Sequence, residues 1–253
     1  MIVEVAANSQ YSDSHISDTE TVETVYLTAH PRLITIDGPD GVGKSRICRL
    51  LVELLKKMYG QDRVILVSPN SFAECLGSEK LRRTRDLLIE KRFNYQTDHV
   101  YVANFALVYK EVIFPALNEG KIVIIDRSEV DSLRFACENY TEKQIEERRI
   151  AIEQGHLTHG LWAGVRIFVS GSAEDIWDNL QRKIDGSKND PQNLVEVRKR
   201  IAAQEMAEKQ ILGFSFQGVR REIRVQNPNV REELLETHLL NMVNNIIALL
   251  GIL

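Results

Sequence analysis

The chain has 253 residues, 43% of them hydrophobic, which is enough to bury the core of one α/β domain. Its net charge of −4 argues against a general nucleic-acid binder, and its three scattered cysteines are typical of a reducing compartment rather than of a disulfide framework. Because no apolar run approaches the roughly 20 residues of a membrane span and the N-terminus lacks a signal-peptide pattern, we expect a cytoplasmic protein without nucleic-acid or membrane partners.

The first residues differ in composition from the rest of the chain. Residues 1–31 are rich in Ser, Thr, Asp and Glu and have no sustained hydrophobic period. Such a segment cannot bury enough apolar surface to offset the loss of chain entropy. We therefore predict a flexible N-terminal extension, followed by a single domain over residues 32–253.

From residue 32 onward, apolar runs typical of buried strands alternate with segments of helical period. The predicted strands are residues 33–37, 63–67, 121–126, 166–171 and 221–226. The predicted helices follow the glycine-rich turn after residue 43 and cover residues 77–91, 97–118, 128–139, 141–155, 172–184, 192–213 and 230–250. This alternation predicts an α/β fold in which a five-stranded parallel sheet carries helices on both faces. Ligands of such sheets bind beyond the carboxyl ends of the strands.

The turn after the first strand has the spacing of a phosphate-binding loop, Gly38-x-x-x-x-Gly43-Lys44-Ser45. Glycines let successive backbone N–H groups point inward, and the following helix adds the positive end of its dipole. Lys44 would reach the β- and γ-phosphates, and the Ser45 hydroxyl would bind Mg²⁺. The predicted nucleotide-binding residues here are Gly38, Asp40, Gly41, Val42, Gly43, Lys44, Ser45 and Arg46.

The third predicted strand ends in an acid–base pair, Asp126 and Arg127. At the end of a buried strand, the Asp126 carboxylate would lie near the P-loop and help to hold Mg²⁺, and the Arg127 guanidinium could clamp a phosphate. A helix N-cap and a surface arginine are the structural alternatives for these two residues. The chain has no N-K-x-D guanine-reading motif, which argues against a GTPase.

Four stretches of the chain resemble the thymidylate kinases, a family of nucleoside-monophosphate kinases. They are "IDGPDGVGKS", "GSEKLRRTRDLLI", "YVANFALVYKEVIFPALNEGKIVIIDRS" and "RIFVSGSAEDIWDNLQRKI". The resemblance extends from about Leu33 to Leu249, with an apparent insertion near residues 141–160. It implies a P-loop nucleotide kinase with a small lid over about residues 183–193, with ATP and Mg²⁺ as cofactors and dTMP as acceptor. It also implies nucleotides as partners and a homodimer through the long apolar helix 97–118.

The resemblance also implies roles for individual residues. Asp40 would contact the sugar hydroxyl of the acceptor, Arg127 would bridge the two phosphates, and Asp126 would serve the metal. The lid would supply a cation, for which Arg182, Lys183 and Lys188 are candidates, with Arg182 preferred. Gln226 and Asn227 would lie near the adenine. The predicted acceptor pocket comprises Asp40, Ser68, Phe72, Arg82, Asn104, Phe105 and Arg127, and the catalytic set is Lys44, Asp126, Arg127 and Arg182.

One departure from the family pattern leaves the acceptor open. The family carries an arginine on its long helix that holds the acceptor phosphate, and Phe105 stands there in this chain. Arg82, Arg83 and Arg85 could compensate or could form an exposed helical face, and Phe105 could be a core residue. A deoxynucleoside kinase, which needs no acceptor-phosphate clamp, is the alternative, although Glu74 is the only general-base candidate after the second strand. A non-catalytic nucleotide-binding protein is the third reading.

Overall fold

The computed structural model describes residues 27–91, 94–182, 191–214, 216–217 and 221–226, together with the single positions 237, 240, 241, 243, 244 and 247. Residues 1–26 of the predicted extension lie outside this part of the chain. So do residues 183–190 of the predicted lid, Asn227, and most of the predicted closing helix over residues 230–250.

The described strands are β1 (Leu27–Asp37), β2 (Val64–Val67), β3 (Ile122–Asp126), β4 (Leu161–Ser170), β5 (Phe216–Gln217) and β6 (Arg221–Gln226). The predicted five-stranded parallel sheet is confirmed, and its order is β2-β3-β1-β4-β6. The additional two-residue strand, β5, pairs with the start of β1. Ile36 of β1 lies opposite Asp126 of β3, so the carboxyl ends of these two central strands meet.

Helices cover both faces of the sheet. They are α1 (Lys44–Tyr59), α2 (Leu76–Glu90), α3 (Asn94–Val108), α4 (Phe114–Asn118), α5 (Glu129–Asn139), α6 (Glu142–Glu153), α7 (Ala173–Gln181) and α8 (Leu194–Leu212). Three of them begin at side chains that accept backbone N–H groups: Ser128 for α5, Ser172 for α7 and Asn193 for α8. Thr141 and Gln144 form a capping box at the start of α6.

The core lies on both sides of the sheet because alternate strand residues point to opposite faces. Ile34, Ile36 and Ile124 pack in a cluster with the apolar side of α1, including Leu51. Their neighbours Leu33, Val123 and Ile125 pack on the other face with residues of α3, such as Phe105 and Val108. Burial on both faces explains why the strands read as continuous apolar runs.

Two strands are longer than the sequence indicated. β1 begins at Leu27, inside the predicted extension, and β4 begins at Leu161. The added residues pair with each other, Thr28 with Leu161 and His30 with Ala163, and the register then shifts before Ile34. The polar sequence of this part of β1 obscured the strand, because its side chains are partly exposed.

The predicted helix over residues 97–118 is a composite of α3, a π-helical turn (Tyr109–Ile113) and α4. Pro115 has no N–H with which to bond residue 111, which explains a wider turn at this position. The expectation that no apolar run approaches a membrane span is wrong for Tyr95–Asn118, which is long and apolar enough by length and composition. Its residues Phe105, Val108 and Ile113 are buried against the sheet, so its apolar length is explained by core packing.

Candidate functional site

The loop between β1 and α1 has the backbone of an anion cradle. Gly41 and Gly43 have φ of 86° and 93°, a region that side chains with a Cβ rarely adopt. A Cβ on Gly38 would lie 2.2 Å from the carbonyl oxygen of Val169, so the loop passes directly against β4. Lys44 is buried, and its Nζ donates to the carbonyl oxygens of Gly38 and Pro39 at 2.6 and 2.7 Å. The lysine thus lies within the loop, where a phosphate would meet its charge.

Ser45 and Asp126 meet at the carboxyl end of the sheet. The Ser45 hydroxyl donates to Asp126 Oδ2 at 3.0 Å, although the residues are 81 positions apart. The other oxygen, Asp126 Oδ1, is buried and has no hydrogen-bond partner among the described residues. A hydroxyl and a carboxylate with a spare oxygen are the ligand types that Mg²⁺ prefers. These two residues therefore fit a magnesium ion at the edge of the P-loop.

Arg127 reaches back across the loop to Asp40. Its Nη2 lies 2.6 Å from Asp40 Oδ1. That oxygen has no well-aligned hydrogen bond within the described residues, so the contact is an ion pair rather than a hydrogen bond. The opposite oxygen, Asp40 Oδ2, accepts from Arg200 Nη1 of α8 at 2.9 Å. The carboxylate of the P-loop is thus held between two guanidinium groups.

Helix α5 extends this charged cluster. Asp131 accepts from Arg134 Nε at 3.0 Å and from Asn70 Nδ2 at 3.1 Å, and it lies 3.7 Å from Arg127 Nη1. Arg134 also pairs with Glu138, which lies 3.7 Å from Arg200 Nε. We call these six residues the arginine–carboxylate cluster: Asp40, Arg127, Asp131, Arg134, Glu138 and Arg200. Its three positive and three negative groups balance one another, which is how buried charges are tolerated.

The charge around Asp40 changes its proton affinity. Burial alone would raise the pKa of Asp40, but the charges of Arg127, Lys44, Arg134 and Arg200 outweigh it and hold that pKa well below its usual range. Burial lowers the pKa of Lys44, and the negative charge of Asp40 opposes that effect. Asp40 is therefore ionised at neutral pH and serves as the counterion of the loop.

The predicted acceptor-pocket residues fall into separate environments. Asn104 is buried and donates to the carbonyl oxygen of Pro69 at 2.5 Å, so it supports the loop after β2 that contains Ser68. Phe72 is fully buried beneath Arg85, whose guanidinium lies 4.6 Å from the ring centre. Arg82 is exposed on α2.

Phe105 is a core residue in this structure. Its side chain is 2% exposed and packs in the cluster that contains Leu33, Val67 and Val108. Phe105 therefore serves core packing, the alternative role given for this position in the sequence analysis. Of the predicted pocket, the structure brings Asp40 and Arg127 together, whereas Phe105 contributes to the sheet–α3 core.

The remaining predicted site residues lie around the loop. Val42 is buried in the core beneath it, and Arg46 is exposed in the first turn of α1. Arg182 is exposed at the end of α7, a helix held to the P-loop by a 3.2 Å hydrogen bond from Asn179 to the carbonyl oxygen of Gly41. Gln226 ends β6 and is exposed, while Asn227, Lys183 and Lys188 lie outside the described residues.

Sequence reasoning missed most of the arginine–carboxylate cluster. Asp131 and Arg134 follow Arg127 at helical spacing, a signal that could have been read because residues three or four apart share a helix face. Arg200 gives no such signal. It stands in the basic run "VRKR", in which Arg198 makes an exposed surface pair with Glu174, and 160 residues separate Arg200 from Asp40.

The pairing of Asp40 predicts a pH-dependent contribution to stability. We expect Asp40→Asn to lower the free energy of unfolding at neutral pH by about 2–4 kcal/mol, because two guanidinium groups lose their counterion. Since the folded-state pKa lies below the unfolded value, this contribution is complete above about pH 4 and is lost as pH falls further. Urea unfolding of both proteins across this range measures the difference. A deficit that stays constant down to about pH 2 would contradict the assignment, and Glu174→Gln at the exposed Arg198 pair should change little.

The burial of Phe105 predicts the outcome of restoring the arginine of the family pattern. We expect Phe105→Arg to destabilise the protein by about 3–5 kcal/mol, because the guanidinium would enter an apolar core without a partner. Phe105→Leu, the matched control, should cost about 1–2 kcal/mol. Thermal and urea unfolding measure both. A stable Phe105→Arg protein with raised turnover of a monophosphate would mean that position 105 faces the acceptor.

Comparison with known proteins gives a consistent family. A family model described as thymidylate kinase matches residues 36–148, which span the P-loop, the Asp126–Arg127 pair and α5. The thymidylate kinase of Caldanaerobacter subterraneus is 27% identical over 155 residues, covering 60% of this chain and 70% of that protein. The thymidylate kinase of Exiguobacterium sp. is 38% identical over 98 residues, covering 37% of this chain and 43% of that protein.

The same name is attached to a similar solved structure. The crystal structure of thymidylate kinase from Ehrlichia chaffeensis matches with a TM-score of 0.55, covering 87% of this chain and 98% of that one. At 18% sequence identity this likeness shows the fold alone. The fold, the matched segment with its P-loop and Asp-Arg pair, and the relatives that share them support a relationship of this chain to the thymidylate kinase family.

Proposed function

We propose that the protein is a nucleotide kinase that transfers the γ-phosphoryl group of ATP to a phosphate oxygen of dTMP, giving dTDP and ADP. The choice of dTMP as acceptor and ATP as donor is inferred from the thymidylate kinases that this chain resembles. Phosphoryl transfer needs positioning of the reactants and charge neutralisation rather than a covalent intermediate, and this chain has side chains suited to both tasks.

The observation that carries this proposal is the meeting of two separate sequence elements at one point. Arg127 stands directly after Asp126, the partner of Ser45, and its guanidinium lies 2.6 Å from Asp40 of the P-loop. A cation in this place is adjacent both to the loop that would hold the donor phosphates and to the acceptor side. It is suited to stabilise charge on the phosphoryl group as it passes between them.

On the donor side of the site, different groups would bind the phosphates and neutralise their charge. The N–H groups of the loop and the start of α1 would hold the phosphates, and Lys44 would neutralise their charge. Ser45 and Asp126 would hold Mg²⁺, which when bound would supply Lewis-acid neutralisation of the phosphate charge. Arg46, Gln226 and Asn227 stay proposed nucleotide contacts, and Arg182 stays the proposed lid-side cation.

On the acceptor side, Asp40 has the unused capacity that a sugar hydroxyl requires. Its Oδ1 makes the ion pair with Arg127 and no well-aligned hydrogen bond within the described chain, so it can accept one from a hydroxyl. Arg127 would hold the acceptor phosphate. This arrangement needs no arginine at position 105.

The alternative function, a deoxynucleoside kinase, needs a general base, and Glu74 is poorly placed for that role. The Glu74 carboxylate accepts from the Ser68 N–H at 2.8 Å and from the Ser71 hydroxyl at 3.3 Å. Both bonds engage Oε1, so Glu74 helps to close the loop after β2, which disfavours it as the base for a 5′-hydroxyl. A non-catalytic nucleotide-binding protein would not need Lys44, Ser45, Asp126 and Arg127 to converge.

A coupled assay of ADP release tests the proposal across nucleosides and their monophosphates. We expect turnover with dTMP that depends on Mg²⁺, and Lys44→Ala should lower kcat by at least about 100-fold, because the transferring group loses its buried cation. Lys57→Ala, on the exposed side of the same helix, is the matched control and should retain activity. Turnover of none of these compounds while ATP still binds would favour a regulatory role, and turnover of thymidine alone would favour the nucleoside kinase.

We also propose a homodimer, built on the surface beside the long helix 97–118. Leu76 and Leu87 of the adjacent helix α2 are 81% and 54% exposed, and their spacing of three turns puts them on one face. Exposed leucines on a shared face are typical of an interface. Leu87→Glu should shift sedimentation from dimer to monomer, whereas Met58→Glu, at an exposed methionine of α1, should not. A monomeric wild-type protein at micromolar concentration would contradict this proposal.

We propose that the protein works in the cytoplasm. Its three cysteines are not paired in disulfides, which is typical of a reducing compartment.

A further inference from the structure

A buried carboxylate directly precedes the P-loop and is not among the predicted nucleotide-binding residues. Asp37 is the last residue of β1 and is 1% exposed. Its Oδ1 accepts the backbone N–H of Ser128 at 2.8 Å, and its Oδ2 accepts the Ser128 hydroxyl at 2.8 Å. Both oxygens of Asp37 are thus committed to the residue that follows Arg127.

The backbone between these bonds is in an unusual conformation. Arg127 has φ of 74°, in the left-handed region, which non-glycine residues rarely adopt. Its N–H donates to the carbonyl oxygen of Ile36 at 3.1 Å, and the next N–H is the one held by Asp37. Two consecutive residues of β1, Ile36 and Asp37, therefore hold the two consecutive N–H groups of this turn. The turn directs the Arg127 side chain back over the loop to Asp40.

Ser128, the partner of Asp37, is also held by a residue of β4. Arg166 is fully buried, pairs with Glu129, and donates to the Ser128 hydroxyl oxygen at 3.4 Å. Its guanidinium lies 3.9 Å from the centre of the Trp162 ring. Burial raises the pKa of Asp37 to about 7, while the Arg166 charge and the Ser128 hydrogen bonds act in the opposite direction. A costly buried network of this kind is retained where it fixes a geometry.

We infer that Asp37 is a positioning residue for phosphoryl transfer: through Ser128 it holds the left-handed turn that sets the Arg127 guanidinium at the P-loop. Both oxygens of Asp37 accept from Ser128, so Asp37 would act only through Arg127. This inference rests on the proposed function of Arg127, and it adds a residue from the strand that precedes the loop.

Crystal structures test the geometry without requiring turnover. In Asp37→Ala we expect Arg127 to leave the left-handed region and its contact with Asp40 to lengthen beyond the roughly 4 Å of an ion pair. Ser128→Ala removes one of the two bonds and is the second variant should Asp37→Ala fail to fold. Glu208→Ala, which removes a buried carboxylate paired with Arg224 away from the loop, is the matched control. An unchanged turn at Arg127 in the folded Asp37 or Ser128 variant overturns the inference.

A double-mutant cycle tests the function, at about pH 8.5 so that Asp37 is ionised in the wild-type protein. Asp37→Ala should lower kcat by about 10–100-fold, as misplaced catalytic groups do, and should leave the KM for ATP within about twofold. Added to Arg127→Ala, the same change should lower kcat by less than about twofold, because the residue it positions is already absent. Multiplying losses would mean that Asp37 acts on general stability and would overturn the inference.

The two proposals fail in different ways. A wild-type protein without turnover of any nucleotide contradicts the proposed function, and the structures of the Asp37 and Ser128 variants then still decide the positioning role. Normal turnover with independent effects of Asp37 and Arg127 contradicts the positioning role alone.

Discussion

The site depends on one electrostatic constraint: Asp40 is buried, ionised and held between Arg127 and Arg200. Without this carboxylate the two guanidinium groups and Lys44 would repel one another, and without the arginines burial would raise the pKa of the carboxyl. The three residues come from the P-loop, from the turn after β3 and from α8. Their charge balance therefore ties three distant parts of the chain to one point beyond the carboxyl ends of the central strands.

Much of the fold and the donor side of the site could be predicted, because they depend on local pattern. The run from Leu33 to Leu55 contains the strand, the glycines and the amphipathic helix in one segment. Parallel strands end at the same edge of a sheet, so Asp126 was expected near Ser45, and the register of Ile36 with Asp126 brings them within 3.0 Å. The five strands of the parallel sheet were predicted from their continuous apolar runs, which are also a local pattern.

The rest depends on contacts between residues far apart in sequence, for which a single sequence carries no period. Arg200 was indistinguishable from a solvated helix face, and Asp37 looked like part of an apolar strand. Arg166 offered a usable signal, since a charge inside a buried strand must find a partner. Phe105 illustrates the converse: its position in the family pattern suggested the acceptor pocket, and packing against Leu33 and Val67 made it core.

The most direct test of the account follows the phosphoryl group itself. The protein would be incubated with Mg²⁺, dTMP and ATP labelled with ³²P at the γ-position, and the products separated by chromatography. The account predicts that the label appears in the β-phosphate of dTDP, with an equal amount of ADP formed. Label found only in free phosphate, or transferred to thymidine but not to dTMP, would contradict it.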